Sequence, residues 1–314
     1  MNNKKNEILF LKPVLKEAVW GGKRLEEFGY EIPSGHTGEA WVISAHPHGD
    51  CIITGGEYNG MTLSSLFESK RELFGGVESN RFPLLIKIID ANEDLSIQVH
   101  PDDTYAAEHE NGSFGKTECW YVLDCSKDAT IVIGHNASTK EEMKQMIEEG
   151  RWTEFIREIP IKKGDFFQID PGCLHAIKGG TMLLETQQNS DITYRIYDYD
   201  RLYNGAKREL HLKKGMDVIE VPFHPQRNNR EIETGAGYSM ETLIECDYYK
   251  VCKLDLNGEI NLKQDFPFVN VSIIDGSGKI NEISIKKGDN LILPSGFGEY
   301  KFNGNLSVIL STVK

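Results

Sequence analysis

A chain of 314 residues with 35 Lys and Arg against 48 Asp and Glu has a formal net charge of −13, which excludes generic binding to nucleic acid or an anionic membrane, because that affinity comes from concentrated cations that release counterions. Hydrophobic residues at 39% and aromatics at 10% are enough for a substantial core and exclude disorder. No stretch approaches the roughly 18 apolar residues of a membrane span, and the opening MNNKKNEILFLKPVLKE has no apolar region leading to a small-residue cleavage site, so a cytoplasmic location is expected.

In chain order, the first strand-like run is Ala40 to Ser44, followed by a helical pattern over Met61 to Phe74. Short apolar runs bounded by Gly, Asp and Asn then predict strands over Leu84 to Ile89, Leu95 to Val99, Glu118 to Leu123 and Thr130 to Ile133. A second helix is predicted over Thr139 to Ile159, where Met143, Met146 and Ile147 and then Trp152, Phe155 and Ile156 recur at helical spacing. Strands follow at Phe166 to Ile169, Met182 to Thr186 and Thr193 to Tyr197; Pro222 to Gly237 reads as a polar linker, and residues 240 to 314 as a small all-β unit. Many short strands with few helices imply a β-sandwich or barrel. The six cysteines (Cys51, Cys119, Cys125, Cys173, Cys246, Cys252) form no CxxC pair, which argues against a disulfide framework or a zinc ribbon and for reduced, packed thiols.

An internal echo refines this picture. Ile161-Lys-Lys-Gly-Asp165 recurs as Ile285-Lys-Lys-Gly-Asp289, and aligning Gly164 with Gly288 sets Gly172 opposite Gly296 and His175 opposite Glu299. The spacing resembles G-x5-P-x-G-x2-H, the second motif of the cupins, with the first copy's proline displaced to Pro171. The competing reading is that KKGD is only a common hairpin turn. The expected fold is mainly β: two cupin-like jelly-roll β-barrels with a few added helices. Residues 1–235 would form a catalytic domain, and residues 236–314 a metal-free C-terminal domain.

Gln98 and His100 in Leu95-Ser-Ile-Gln-Val-His-Pro-Asp102 lie two apart on a strand, so their side chains share a face. Taken alone, such a pair is more often a hydrogen-bonded polar cluster than a metal site. Lys116 and Glu118 share a face in the same way, and His175 follows the Pro171-Gly172 turn. Two imidazoles, one carboxylate and one amide oxygen suit a borderline divalent cation such as Zn²⁺ with room for substrate. Cys119 should face away from Glu118 and serve packing. His46 and His48 have the same spacing, but the Pro between them suggests a turn; His36, His109, His135, His211 and His224 read as solvated or capping groups. The glycines form neither a Walker A loop nor a G-x-G-x-x-G turn, and no Gly-x-Ser-x-Gly elbow is present.

Taken with Pro13-Val-Leu-Lys-Glu-Ala-Val-Trp-Gly-Gly22, Gly38-Glu-Ala-Trp-Val-Ile-Ser44, Phe82-Pro-Leu-Leu-Ile-Lys87, Pro171-Gly-Cys-Leu-His-Ala176 and the run from Glu185 to Arg201, the sequence resembles type I mannose-6-phosphate isomerases in their short bacterial form. The resemblance is collinear over residues 10 to 220. It implies reversible interconversion of mannose 6-phosphate and fructose 6-phosphate with one Zn²⁺ per chain, held by Gln98, His100, Glu118 and His175, with Arg195 as the active-site arginine. Trp20 and Glu39 resemble pocket-lining positions. On that reading Lys116 and Arg195 pair with an enediolate or the phosphate, and Lys87 is a further candidate for the same pocket. Glu185 is either the base or a carboxylate that orients a hydroxyl. The sequence departs from longer members in lacking a large helical insertion, of which Thr139 to Ile159 is the candidate remnant, and in placing Asp103 where a basic residue is common. The expected partner is a small sugar phosphate, with no nucleic acid and no membrane; oligomeric state is not set by the sequence. Two alternatives remain at this stage, a non-enzymatic sugar-binding cupin and a metal-dependent cupin dioxygenase.

Overall fold

The computed structural model describes residues 7–203, 205–225 and 230–313. It is mainly β, with three large sheets. A six-stranded sheet runs in the order Phe166–Ile169, Glu118–Cys125, Thr181–Gln188, Leu84–Ala91, Val14–Gly22, Thr37–Ile43. A five-stranded sheet runs Ile156–Pro160, Thr130–His135, His175–Ile177, Ile97–Val99, Tyr194–Tyr197. Each is an open path of hydrogen-bonded strands, so the expected closed barrels are not what the backbone pairing forms.

Strand periodicity explains how these sheets stack. Along Glu118–Cys125 the side chains of Trp120 and Val122 enter one core, together with Ile131 and Ile177 of the five-stranded sheet, while Cys119, Tyr121 and Leu123 enter another on the opposite face. Cys119 therefore does face away from Glu118. The outer face of the five-stranded sheet, with Val99, Ala176 and Ile196, is covered by Met143, Met146 and Ile147 of the helix Lys140–Glu148 and by Phe155. The outer face of the six-stranded sheet packs on the helix Leu63–Ser69 and on residues of the C-terminal unit. Phe67, Phe74, Phe82 and Phe268 meet there edge to face or tilted, with ring centroids 5.1–5.8 Å apart.

The third sheet has nine strands. It runs from Glu231–Gly235 through Tyr238–Glu245, Lys250–Gln264, Gly298–Thr312, Val269–Ile280 and Asn290–Leu293 to Leu9–Lys12 and Ile52–Thr54, while the ninth strand, Ile283–Lys286, pairs with Val269–Ile280 off this path. The repeated pentapeptides make the same turn. Gly164 and Gly288 have φ of +89° and +93°, a region glycine enters without steric penalty; Asp165 Oδ2 accepts from Lys162 N at 2.9 Å and Asp289 Oδ2 from Lys286 N at 2.8 Å. The echo is thus a repeated structural device that leads into Phe166–Ile169 and Asn290–Leu293.

Two sequence expectations change. The helix expected over Thr139 to Ile159 is Lys140–Glu148, capped by Thr139, then the single turn Trp152–Phe155 and the strand Ile156–Pro160. Gly150 follows the first helix, and pairing of Ile156 and Ile159 with Thr130–His135 overrides the helical pattern in this β-branched stretch. The segment read as a linker over Pro222 to Gly237 contains the strand Glu231–Gly235, which forms a hairpin with Tyr238–Glu245; residues 226–229 of that reading lie outside the described residues. Among the described residues no helix is long and apolar enough to cross a membrane.

Candidate active site and metal centre

The two inner sheets bring the titratable side chains together. Glu118, Lys87 and Glu185 come from the six-stranded sheet, where Glu185 lies opposite Lys87 on one neighbour and Trp120 on the other. On the five-stranded sheet, Gln98 lies between His175 and Arg195, and His100 follows one residue after its strand.

The deepest part is a cluster of acceptors. His100 Nδ1–H donates to the carbonyl of Ile192 at 2.8 Å, and His175 Nδ1–H donates to that of Cys173 at 2.9 Å; since a carbonyl only accepts, each Nε2 carries a lone pair. These two atoms are 3.1 Å apart. Each is also 3.5 Å from a Glu118 oxygen. Burial keeps both rings neutral, pushing His175 down to about 4 and holding His100 well below the usual histidine range, with the Lys116 charge adding to the effect. Burial, with the charge of Glu185, raises Glu118 to about 7, and Glu118 Oε1 has no hydrogen-bond donor.

Such an array needs a positive charge, and Lys116 partly supplies it. Its Nζ lies 2.6 Å from Glu118 Oε2 and 3.0 Å from His100 Nε2. Gln98 presents Nε2 to His175 Nε2 at 3.3 Å; half a turn of the amide, whose two ends have the same shape, directs its oxygen there. His100, Glu118 and His175 have donor atoms within 4.8 Å of one another, and the four residues form an N/O set suited to a divalent cation.

Above this cluster opens a cavity of about 320 Å³, within the range of small-ligand sites. Trp20, Glu39, Lys87, Gln98, Lys116, Glu185 and Arg195 all line it, so every non-ligand residue expected from the sequence reaches one space. Lys87 Nζ is 3.0 Å from Glu185 Oε1, both side chains being buried, and Trp120 Nε1 donates to Glu185 Oε2 at 2.9 Å. Burial alone would raise the Glu185 carboxyl, but Lys87 and Lys116 overcome it and hold it at about 2. Glu39 Oε2 accepts from Trp41 Nε1 at 2.6 Å.

Arg195 is half-buried rather than a surface residue. Its Nε donates to Ser96 Oγ at 3.2 Å and its Nη1 to the carbonyl of Glu209 at 3.0 Å. The backbone is tied to His211 in both directions, Arg195 N–H to Nδ1 at 3.2 Å and His211 N–H to the Arg195 carbonyl at 2.7 Å. His211, read as solvated or capping, is therefore a support of Arg195. His135 also departs from that reading: it is buried, stacked on Phe155 at 5.2 Å, and donates to the Glu220 carbonyl. Sequence reasoning missed Lys16 and Arg208, which line the cavity as well; Lys16 lies within the segment Pro13 to Gly22 but was not singled out there, and Arg208 sits in no motif.

His46, His48 and Asp191 form a second group near the surface. His46 Nδ1 accepts the backbone N–H of His48 at 3.2 Å, which leaves its proton on Nε2, directed at Asp191. This is a hydrogen-bonded turn, in keeping with the Pro between the two histidines.

Residues 8–127 match the family description "Phosphomannose isomerase type I, catalytic domain", and residues 239–313 match "Mannose-6-phosphate isomerase, cupin domain". Mannose-6-phosphate isomerase ManA of Bacillus subtilis is 53% identical over 310 residues, covering 97% of this chain and 98% of that protein. Mannose-6-phosphate isomerase of Streptococcus mutans is 45% identical over 311 residues, covering 97% and 98%. The crystal structure of a mannose 6-phosphate isomerase from Bacillus subtilis superposes with a TM-score of 0.96 at 47% identity, covering 98% of this chain and all of that one. A phosphomannose isomerase variant from Salmonella typhimurium shares the fold, with a TM-score of 0.79 at 14% identity over 98% of this chain and all of that one.

Proposed function

Because the chain belongs to the type I phosphomannose isomerase family, we propose that it interconverts mannose 6-phosphate and fructose 6-phosphate through an enediolate. The observation that supports this chemistry most directly is the pairing of lone pairs on His100 and His175, 3.1 Å apart beside an unsatisfied Glu118 oxygen, at one end of a cavity rich in cations. We assign Gln98, His100, Glu118 and His175 to one Zn²⁺ per chain; the absence of thiolates among them fits a catalytic rather than a structural ion. Bound there, the ion supplies Lewis-acid stabilisation of negative charge developing on the sugar oxygens.

The chain's own groups do the rest. Moving a carbonyl between C1 and C2 requires removal of a proton alpha to it, in a site that excludes water. Lys116 balances charge on the enediolate, and Arg195, a planar donor held at Nε and Nη1, meets the phosphate. Glu185 faces the cavity as an ionised carboxylate. Its pairing with Lys87 and its bond from the Trp120 N–H keep it ionised, so it is the carboxylate we assign to take the proton from the substrate carbon, the alternative role being to orient a substrate hydroxyl. Trp20 and Glu39 form the wall, and Lys87 acts through Glu185. Residues 1–235 are read as the catalytic domain and 236–314 as its metal-free support; the repeated turn at Gly164 and Gly288 supports relating both to cupin-like jelly rolls.

The test is a coupled assay of fructose 6-phosphate formation from mannose 6-phosphate, run beside metal analysis of the purified protein. Turnover with one zinc per chain is expected. Sugar binding without turnover would instead indicate a binding protein, and bound iron with oxygen consumption a dioxygenase.

A further inference from the structure

Resting on the reading that the cavity takes a sugar phosphate, we propose that Arg208 is a second arginine gripping the phosphate beside Arg195, and that Asp198 is the residue that positions it. Asp198 is buried, 5% exposed, and it accepts from Arg208 Nε at 2.7 Å and from Arg208 Nη2 at 2.6 Å. Two parallel bonds from one planar group to one carboxylate fix the orientation of the guanidinium. Arg201 Nη2 donates to the same carboxylate at 2.6 Å, which anchors the carboxylate in turn.

The remaining donors define the ligand. Among the described residues Arg208 Nη1 has no acceptor, and neither has Arg195 Nη2 once Ser96 and the Glu209 carbonyl are served. Both residues line the one cavity. Two guanidiniums, Arg208 and Arg201, share the buried Asp198 carboxylate, and the cavity wall sets Lys16, Lys87, Lys116, Arg195 and Arg208 against Glu17, Glu39 and Glu185, so positive charge is in excess there. Positive charge with unfilled guanidinium donors is what a phosphate dianion requires. The neutral part of the substrate would then extend toward the acceptor cluster beneath Gln98.

The experiment compares wild type with Arg208→Ala, Arg208→Lys and Asp198→Asn by steady-state kinetics on mannose 6-phosphate, with inorganic phosphate as a competing ligand and with bound metal measured. Losing one charge-assisted contact should raise KM and the inhibition constant of phosphate roughly 10- to 100-fold in Arg208→Ala, while kcat changes only a few-fold and metal content is kept. Arg208→Lys should recover part of the loss, and Asp198→Asn should raise KM by a smaller factor. An Arg208→Ala enzyme with wild-type KM and phosphate inhibition, or one that loses kcat alone, overturns the assignment. If that variant does not fold, Arg208→Lys decides, and an unchanged KM there counts against it. Should wild type fail to turn over mannose 6-phosphate, the functional reading falls by itself. Thermal protection by inorganic phosphate then separates the two: protection in wild type lost in the Arg208 variants upholds the anion site, and equal protection refutes it.

Discussion

Tyr248, from the C-terminal unit, donates its hydroxyl proton to Asp103 Oδ2 at 2.9 Å. The other oxygen of Asp103 accepts from Gly115 N at 2.7 Å and from Gln188 Nε2 at 3.0 Å, while Gln188 Oε1 accepts from Thr117 N at 2.9 Å. The residues either side of Lys116 are thereby held from two directions, and Lys116 N itself donates to the Pro101 carbonyl. Asp103 thus has a positioning role in this chain. It follows that Tyr248→Phe should cost about 1 kcal/mol of stability, and Asp103→Ala about 1–3 kcal/mol because it strands buried donors. Asp103→Ala should also lower kcat more than it raises KM; urea denaturation and steady-state kinetics measure the two effects.

His100→Ala should abolish stoichiometric metal, since it removes one of two imidazole nitrogens in a four-residue set. Elemental analysis reads this directly. Chelation should lower the melting temperature of wild type but not of the variant, because a ligand of the folded state stabilises it by mass action. Full metal retention would show that the ion sits elsewhere.

Arg195→Ala should keep its metal and lose isomerase turnover. None of the proposed ligands depends on the Arg195 side chain for a hydrogen bond, so metal content and activity separate. Near-native turnover would remove Arg195 from the mechanism.

Breaking the buried Lys87–Glu185 pair from one side should be worse than removing both charges. Lys87→Met leaves a carboxylate buried without its main counter-ion and should cost about 3–5 kcal/mol, whereas the double variant Lys87→Met with Glu185→Gln should cost less than the sum of the singles. Denaturant midpoints over the double-mutant cycle give the coupling, and simple additivity would contradict the pairing.

Asp198 offers a pH signature away from the acceptor cluster. Burial works to raise its carboxyl, but Arg208 and Arg201 hold it below the usual aspartate value, which is about 3.9. A lowered folded-state value gives stability that is fully present above the unfolded value and is lost as pH falls through the folded one. The stability advantage of wild type over Asp198→Asn should therefore be flat at neutral pH and shrink below about pH 4. An advantage independent of pH in that range would argue that the ion pairs contribute nothing.

Much of the site was legible because strand geometry is local. Alternation of side chains put Gln98 with His100, and Lys116 with Glu118, on common faces, and set Cys119 on the other. The repeated KKGD turn was legible for the same reason, because a positive-φ glycine followed by an aspartate specifies its own backbone. Arg195 was legible only through the family resemblance, and Arg208 and Asp198 were not legible at all, since their value comes from partners that only the fold brings together. Ile156 to Ile159 misled because its two isoleucines, three apart around Arg157 and Glu158, satisfy a helical spacing until pairing with the strand Thr130–His135 is in place.

The strands Leu9–Lys12 and Ile52–Thr54 complete a sheet whose other members come from residues 231–312, with Leu9 opposite Ile292 and Phe10 opposite Leu291. Strands made from residues 9–54 therefore wait for a strand near residue 290. The long loop between Leu9 and Ile292 must close before that edge forms, which makes this step of assembly slow and non-local. Nascent chains stalled before Asn290 would expose an unpaired apolar edge, the kind of surface on which chaperones act and from which misassembly begins.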